Sequence, residues 1–361
     1  MSADQPAPSN TSAAGGEAVS ALAAATAGVP QTPAASAPKS PAAARKRTGR
    51  GRLTARRFAR NRLALVGLGI LVVLFVAAYA GPSFSKYDYR FHDYLAFNAP
   101  PGGNHWWGTN QGGQDLFALT MRGLQKSLVI GLLVGGISTV VAGFVGAFAG
   151  YYGRWIDKGL TWFVDLLLVL PSFLIIAVLS PIFRNSSWLI FVVLLAAFSW
   201  MITARVVRSM TLTLKDREFV KAAKYMGVPG PVIIIRHILP NMASLLIIDT
   251  VIQVGAAVIG ESGLSFFGFG VQAPDVSLGT IIADNTTNAP TFQWLFYFPA
   301  TCLVLIGIAV AFVGDGLRDA FDPTSGGAKS KGRRRRALAE RNAARRGATL
   351  PGGTRDVVSS S

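Results

Sequence analysis

Six long apolar blocks constrain the fold of this 361-residue chain more than any other feature. Each has about 18 to 24 mostly apolar residues, and a helix that rises about 1.5 Å per residue needs about that length to cross a bilayer. The sequence therefore predicts an all-α polytopic membrane protein with six transmembrane helices. The predicted spans cover residues 63–80, 127–150, 160–179, 188–207, 243–260 and 294–313.

The distribution of charge predicts how these spans are oriented. The chain has 35 Lys and Arg residues against 18 Asp and Glu, a net charge of +17, yet only 15% of its residues are charged. The basic residues concentrate in the two tails and in the loop between the fourth and fifth spans, and cytoplasmic loops carry such an excess. We therefore expect a multi-pass protein of the cell membrane with both termini in the cytoplasm. Without an aromatic and basic reading surface, nucleic-acid binding is not expected.

The spans divide the chain into five predicted parts. Both ends are rich in Ala, Ser, Pro, Gly or Arg without an apolar period, which is typical of disorder. Pro171 should kink the third span. Paired glycines in the second span, Gly131/Gly135 and Gly146/Gly150, permit close helix contact. The parts are a disordered tail (1–50), a basic segment with the first span (51–81), an extracytoplasmic segment (82–126), a five-helix core (127–323) and a disordered basic tail (324–361).

The loop at residues 217–241 is too regular to be a simple connector. Apolar side chains recur at helical spacing and basic ones occupy the opposite face. Gly227 and the proline after it should end this short helix, and Pro231 should begin a second helix that Pro240 closes. Because two adjacent alanines permit close approach, the loop is predicted to dock onto another protein. The apolar face comprises Phe219, Ala222, Ala223 and Met226, and the basic face Arg217, Lys221 and Lys224.

Ionisable residues inside the spans are candidates for a transport path. Asp249 lies in the fifth span with Gln253 one turn further on, and Asp165 lies in the third. A carboxylate at membrane depth costs on the order of 3 kcal/mol unless it finds a partner or water. For Asp249 a solvated path and a hydrogen bond to a neighbouring helix stay equally open, whereas for Asp165 pairing with a neighbouring helix is favoured.

Signatures of catalysis are missing from the sequence. It contains no G-x-x-x-x-G-K-[S/T] phosphate loop, no H-E-x-x-H and no G-x-S-x-G. Cys302 is the single cysteine, and the three histidines, His92, His105 and His237, are too scattered to suggest a metal site. We therefore expect no enzyme activity and no cofactor or metal on this chain.

Two further classes of membrane protein fit this pattern less well. A secondary transporter driven by an ion gradient predicts internal repeats with broken, charged helices, and neither is visible. A structural or lipid-binding protein would use the basic tails on anionic lipid. That reading leaves the ordered loop at 217–241 unexplained.

The loop resembles the EAA loop of ATP-binding-cassette (ABC) importer permeases. That pattern reads E-A-A, three residues, Gly, nine residues, then I-x-L-P. This chain has Lys221-Ala222-Ala223, then Gly227, then Leu239-Pro240 at the expected distance. Lys221 stands in place of the Glu and His237 in place of the Ile. The ending Arg-His-Ile-Leu-Pro-Asn (236–241) is similar to the dipeptide, oligopeptide and nickel branch of the family.

Other strings resemble the same branch between about residues 55 and 325. His105–Asp115 is similar to its H-W-L-G-T-D-x-x-G-R-D pattern, with Asn110 and Gln114 in place of Asp and Arg. Residues 261–270 resemble E-x-x-L-S-F-L-G-x-G, and residues 314–323 resemble its C-terminal ending. Arg57-Phe58 and Arg60-Asn61 are similar to its N-terminal segment. The combination resembles the second of the two peptide permeases.

The resemblance implies a type I importer permease fold and a complex. Its expected partners are a second permease subunit, two cytoplasmic ABC ATPase subunits that bind ATP and Mg, and an extracytoplasmic solute-binding protein. Cargo is expected to be di- or oligopeptides moved by alternating access, and nickel or another small solute is the alternative. The ATPase-docking residues that the resemblance implies are Glu218, Phe219, Lys221, Ala222, Ala223, Met226, Gly227, Leu239 and Pro240.

Overall fold

A computed structural model describes residues 50–183 and 187–322 of the chain. Within these residues it contains α-helices, short 3₁₀ and π turns, and two isolated β-bridges, but no extended strand. The fold is all-α, as the sequence predicts. The two tails predicted to be disordered lie outside the described residues, except for Arg50 at the edge of the first.

Twelve helices follow one another in the described ranges. They are α1 (Arg50–Phe58), α2 (Arg62–Phe84), α3 (Leu116–Tyr152), α4 (Arg154–Val169), α5 (Ser172–Leu179), α6 (Trp188–Ser199), α7 (Met201–Leu214), α8 (Glu218–Tyr225), α9 (Gly230–Ile233), α10 (Ala243–Phe266), α11 (Leu278–Asn285) and α12 (Trp294–Phe321). Short 3₁₀ segments cover Ser180–Phe183, Leu239–Met242 and Thr286–Asn288, and a π turn covers Ile234–Ile238.

Six spans fit the structure if two bent helix pairs each count as one. Four continuous helical stretches, Arg62–Phe84, Leu116–Tyr152, Gly230–Phe266 and Trp294–Phe321, are long and apolar enough to cross a membrane. The pair α4 and α5 bends by 75° and the pair α6 and α7 by 44°. Pro171 lies at the first break, which confirms the predicted kink because a proline cannot continue the backbone ladder. The second break, at Trp200, was not predicted.

The predicted short helix ending at Pro240 is wrong. The helix that begins at Gly230 continues through the π turn and the 3₁₀ turn into α10, so that one stretch of 37 residues replaces a short helix and a separate span. Pro240 lacks an N–H, and the π turn just before it widens the ladder where the ring would otherwise clash with a preceding carbonyl.

The central helix is α3, and glycines let its neighbours approach it. A Cβ atom on Gly135 would lie 3.0 Å from the Thr250 carbonyl oxygen of α10, and one on Gly146 would lie 2.4 Å from the Ala204 carbonyl oxygen of α7. Gly131 and Gly150 face the same two helices. These contacts confirm the close packing predicted from the glycine pairs.

The core helix α3 begins earlier in the chain than the predicted second span. It starts at Leu116, inside the segment 82–126 that the sequence assigned to the outside, and Asp115 caps it by accepting the Ala118 N–H at 2.9 Å. We call the end of the bundle at residues 85–115 the far end, and the opposite end the α8 end.

Candidate functional site

The short helix α8 is fastened to the rest of the chain by one face. Val220 and Ala223 are 2% and 1% exposed and pack in a cluster with Ala147 of α3, Val207 of α7 and Ile233 of α9. Residues three apart lie on the same side of a helix, so Val220 and Ala223 together form the inward face of α8. The predicted helix at this position is confirmed.

The opposite face of α8 is open. Phe219 is 42% exposed and Met226 is 75% exposed, and Ala222 lies between them on the same side. Glu218, Lys221 and Lys224 are exposed as well. The predicted apolar face is therefore wrong in one member, because Ala223 contacts the core of its own chain and offers no surface to a partner.

Gly227 ends α8 in a left-handed turn. Its φ is +77°, which glycine adopts without the steric cost that a Cβ atom adds. The Gly227 N–H donates to the Lys224 carbonyl at 3.0 Å, and the Val228 N–H donates to the Ala223 carbonyl at 3.1 Å. This is a Schellman ending, and Val228 packs on the cluster under α8.

The end of the predicted loop belongs to the long helix. Leu239 is partly buried against the cluster beneath α8, and Pro240 is exposed. These two positions belong to the chain that leads into α10, more than a dozen residues after α8. Seven of the nine predicted docking positions lie on α8 or directly at its end, and six of these are exposed, with Ala223 facing inward.

Asp249 is held by two neighbouring helices. Its Oδ1 accepts the Thr203 hydroxyl of α7 at 2.9 Å, and its Oδ2 accepts the Thr139 hydroxyl of α3 at 3.2 Å. One turn further on, the Gln253 side-chain amide donates to the Ser199 carbonyl at 2.5 Å. That carbonyl lies at the break between α6 and α7, so these two residues of α10 brace the kinked fourth span.

Asp165 is paired with a residue that sequence reasoning missed. Its Oδ1 accepts a hydrogen bond from the guanidinium of Arg205, and both side chains are about half exposed, at 50% and 51%. Nearer the α8 end, the Arg208 Nη2 of α7 donates to Asp157 of α4 at 2.7 Å. The two pairs join the third and fourth spans. No spacing in the sequence reveals them, because the partners are 40 and 51 residues apart.

A compact network around His105 holds the segment at the far end together. Its Nδ1 lies 2.9 Å from Asp115 Oδ2, its Nε2 lies 3.5 Å from Asp93 Oδ2, and its ring stacks on Tyr87 at 4.6 Å between centroids. Gly113, with φ +71°, passes so near this network that a Cβ atom would lie 2.2 Å from the Asp93 carbonyl oxygen. The segment is thus tied to the cap of α3.

A cavity of 650 Å³ opens at the far end. Its walls come from the segment before α3, the turn after α10, and α11. Burial partly desolvates Asp284 of α11 and raises the pKa of its carboxyl. Across the part of the chain that the structure describes, no group of three or more His, Cys, Asp and Glu residues could hold a metal ion.

Comparisons with known proteins match two parts of the chain to families. Residues 142–325 match the family described as binding-protein-dependent transport system inner membrane component. Residues 49–101 match the N-terminal TM domain of oligopeptide transport permease C. The first match contains α8, the kinked fourth span and all of α10.

The chain aligns with most of the length of several curated relatives. The oligopeptide transport system permease protein OppC of Mycobacterium tuberculosis (strain H37Rv) is 55% identical over 274 residues, 76% of this chain and 94% of the relative. A putative peptide permease protein of Brucella suis is 38% identical over 278 residues, 76% of this chain and 92% of the relative. OppC of Haemophilus influenzae is 36% identical over 270 residues, 74% of this chain and 86% of the relative.

Proposed function

The chain belongs to the family of binding-protein-dependent transport system inner membrane components, and we propose that it is a peptide-translocating permease of an ATP-driven importer. It is a multi-pass component of the inner membrane and, as a member of a permease family, not an enzyme. The observation that carries the peptide proposal is the 55% identity to an oligopeptide permease across 94% of that relative. Other similar relatives are also named peptide permeases, which favours peptides over nickel.

The proposed complex follows from the missing phosphate loop and the exposed surface at the α8 end. We propose that two ABC ATPase subunits, with ATP and Mg bound to them and none on this chain, contact that surface. A second permease subunit completes the path, and a solute-binding protein delivers cargo at the far end. Both termini and α8 would then be cytoplasmic, which agrees with the basic residues around α8.

The docking helix can transmit motion because it is fixed on one side and open on the other. Val220 and Ala223 join α8 to α3, α7 and α9, whereas Phe219, Ala222 and Met226 are free to contact an ATPase. Closure of the ATPases would therefore move the spans and not only the loop. Such an equilibrium between inward-open and outward-open states is biased by ATP and by loaded binding protein.

The translocation path is proposed to run beside α10. Asp249 and Gln253 would support its wall by bracing the kinked fourth span. The half-exposed pair of Asp165 and Arg205 lies in spans three and four, where a lipid-facing charge is costly. We propose that this pair faces the second permease subunit or the path.

Uptake assays test the cargo proposal directly. Cells that lack the endogenous gene and carry the chain with its partner subunits should accumulate labelled di- and oligopeptides, and cells without the chain should not. Labelled nickel in the same cells is the matched control. Nickel uptake without peptide uptake would contradict the proposal.

Purification tests the complex. The chain, extracted from its own membrane with mild detergent, should carry an ABC ATPase subunit with it. A preparation of intact chain that never contains an ATPase would contradict the ABC assignment of its partners.

A further inference from the structure

Glu261 of α10 is a buried carboxylate without a cation. Its side chain has no exposed surface. None of the ion pairs found within residues 50–183 and 187–322 includes it. A buried charge is costly unless hydrogen bonds replace its hydration. The contacts around Glu261 must therefore explain why the chain keeps a carboxylate here.

Three serine hydroxyls surround the carboxylate, and each comes from a different part of the chain. The Ser265 hydroxyl of α10 and the Ser277 hydroxyl before α11 donate to Oε1 at 2.6 and 2.5 Å. The Ser127 hydroxyl of α3 donates to Oε2 at 3.3 Å. We call these four residues the Glu261 cluster.

Two of the serines connect the carboxylate to the first turn of α11. The Leu278 N–H donates to the Ser127 hydroxyl oxygen and the Thr280 N–H to the Ser277 hydroxyl oxygen, each at 3.2 Å. These amides are the positive end of the helix, and their polarity reaches the carboxylate through the two hydroxyls.

A glutamine would not reproduce this arrangement. A carboxylate offers two acceptor oxygens to the three hydroxyls, whereas a glutamine presents an NH₂ group to one of them. At Oε2 that group would face the Ser127 oxygen, which also accepts the Leu278 N–H. The Ser127 proton would then lose the acceptor that it has in Glu261.

The helix α11 packs closely against both α10 and α3. A Cβ atom on Gly279 of α11 would lie 2.5 Å from the Ser262 Cα of α10. One on Gly123 of α3 would lie 3.0 Å from the Ser277 carbonyl carbon. The helix is therefore pressed against both spans, with the Glu261 cluster at the junction.

We propose that Glu261 is a positioning residue that locks α11 to the far ends of α3 and α10, so that these three elements move as one body during transport. Thr280, Ile281, Asp284 and Asn285 of α11 line the far-end cavity, so the lock fixes the cavity wall. The role in transport rests on the proposed function, but the lock itself does not.

Thiol accessibility measures the lock without transport. In a Cys302→Ala background, Ile281→Cys places a thiol on the α11 side chain that is 2% exposed, and Ile233→Cys places one in the cluster under α8, where the side chain is 0% exposed. The full chain, purified with its complex in nanodiscs, reacts with a soluble maleimide. The test variants are Glu261→Gln and Ser127→Ala, and Thr301→Ala, on an exposed hydroxyl of α12, is the control.

We expect Glu261→Gln to speed labelling at position 281 by about tenfold, because one buried hydrogen bond that joins α3 to α10 is lost. Ser127→Ala should give a similar, smaller increase, and the control none. Labelling at position 233 should stay slow throughout. In cells, peptide uptake should fall in both variants at unchanged abundance of the chain.

Four other outcomes would overturn the inference. Unchanged labelling at position 281 in both variants would show that α11 is held without Glu261. Faster labelling at both positions would indicate general loss of packing, and faster labelling at position 281 with normal uptake would remove the role in transport. Uptake that falls only together with the abundance of the chain would do the same. Failure of the proposed function would look different, since the unaltered chain would then transport no peptide.

Discussion

At the scale of single residues, two amides of the far-end segment contact each other where the family pattern has an acid and a base. The family pattern has Asp and Arg where this chain has Asn110 and Gln114. The Asn110 side-chain amide donates to Gln114 Oε1 at 2.9 Å, and the Asn110 oxygen accepts the N–H groups of Gly112 and Gln114. Two amides thus occupy the positions of an acid and a base four residues apart. The departure from the family pattern is a paired one.

Exchanging the pair should reveal this coupling. Asn110→Asp alone and Gln114→Arg alone should each lower the thermal stability of the chain, because each leaves one unmatched charge beside an amide. The double variant should recover most of the loss, with a coupling free energy on the order of 1 kcal/mol. Melting temperatures of the four proteins in one detergent complete the cycle. Strictly additive losses would contradict a direct contact.

Asp249 offers a second test at this scale. Hydroxyls from two helices already occupy both carboxylate oxygens. Asp249→Asn can accept one threonine hydroxyl on its oxygen and donate its NH₂ to the other threonine oxygen, because neither hydroxyl oxygen accepts another hydrogen bond within the described residues, so we expect near-normal uptake and abundance. Asp249→Ala should lower abundance, because truncation leaves two partly buried hydroxyls unpaired at roughly 1–3 kcal/mol. Uptake that collapses in the Asn variant at normal abundance would instead make the charge part of the path.

At the scale of elements, the two faces of α8 differ in burial, as the proposed docking role requires. The inward face is fixed by a buried cluster, the helix ends in a Schellman turn, and the outward face stays exposed. A helix of 8 residues is too short to be stable alone, so its shape depends on this packing. Changes to its ending and to its outward charge should therefore have separable effects.

The ending of α8 should require a residue that tolerates positive φ. Nothing lies within 4 Å of a Cβ atom at Gly227, so any cost there comes from the backbone and not from a clash. Gly227→Val should weaken ATPase association and uptake several-fold, since the left-handed conformation costs a β-branched residue about 1–2 kcal/mol or more. Gly227→Asn is the matched control and should retain most activity. Equal behaviour of both variants would refute a conformational role.

The outward charge of α8 should select the ATPase. Lys221 is exposed where the family pattern has Glu. We expect Lys221→Glu to lower the amount of ATPase that co-purifies while leaving the abundance of the chain unchanged. The loss should depend on salt concentration, because exposed charges are screened. Lys221→Gln is the control for loss of charge without reversal. Identical co-purification at low salt for all three proteins would exclude an electrostatic role.

At the scale of the whole molecule, the sequence predicts the number of spans and their class because apolar length is a local property. It also predicts α8, whose periodicity and Gly227 are local. Prediction from the sequence fails where the local structure depends on residues that are distant in the chain. Ala223 points inward because of helices elsewhere in the chain, and the break at Trp200 is braced by Gln253. Pro240 continues a helix because a π turn absorbs it, and no pattern in the sequence signals that turn.

The topology can be checked on intact cells. In a Cys302→Ala background, Leu95→Cys at the far end and Tyr225→Cys on α8 replace side chains that are 98% and 86% exposed. A membrane-impermeant maleimide should label position 95 in intact cells and position 225 only after permeabilisation. Labelling in the reverse order would place α8 outside the cytoplasm and contradict the proposed ATPase contact.

The continuous stretch Gly230–Phe266 connects the α8 end of the bundle to the far end. Its 37 residues measure roughly 55 Å, with Ile233 in the cluster under α8 at one end and Glu261 at the other. If binding at one end displaces this helix, binding at the other end is coupled to it. Thermodynamic linkage then requires reciprocity. In the proposed complex, the factor by which nucleotide-bound ATPases change the affinity for loaded binding protein must equal the factor by which that protein changes the affinity of the complex for nucleotide.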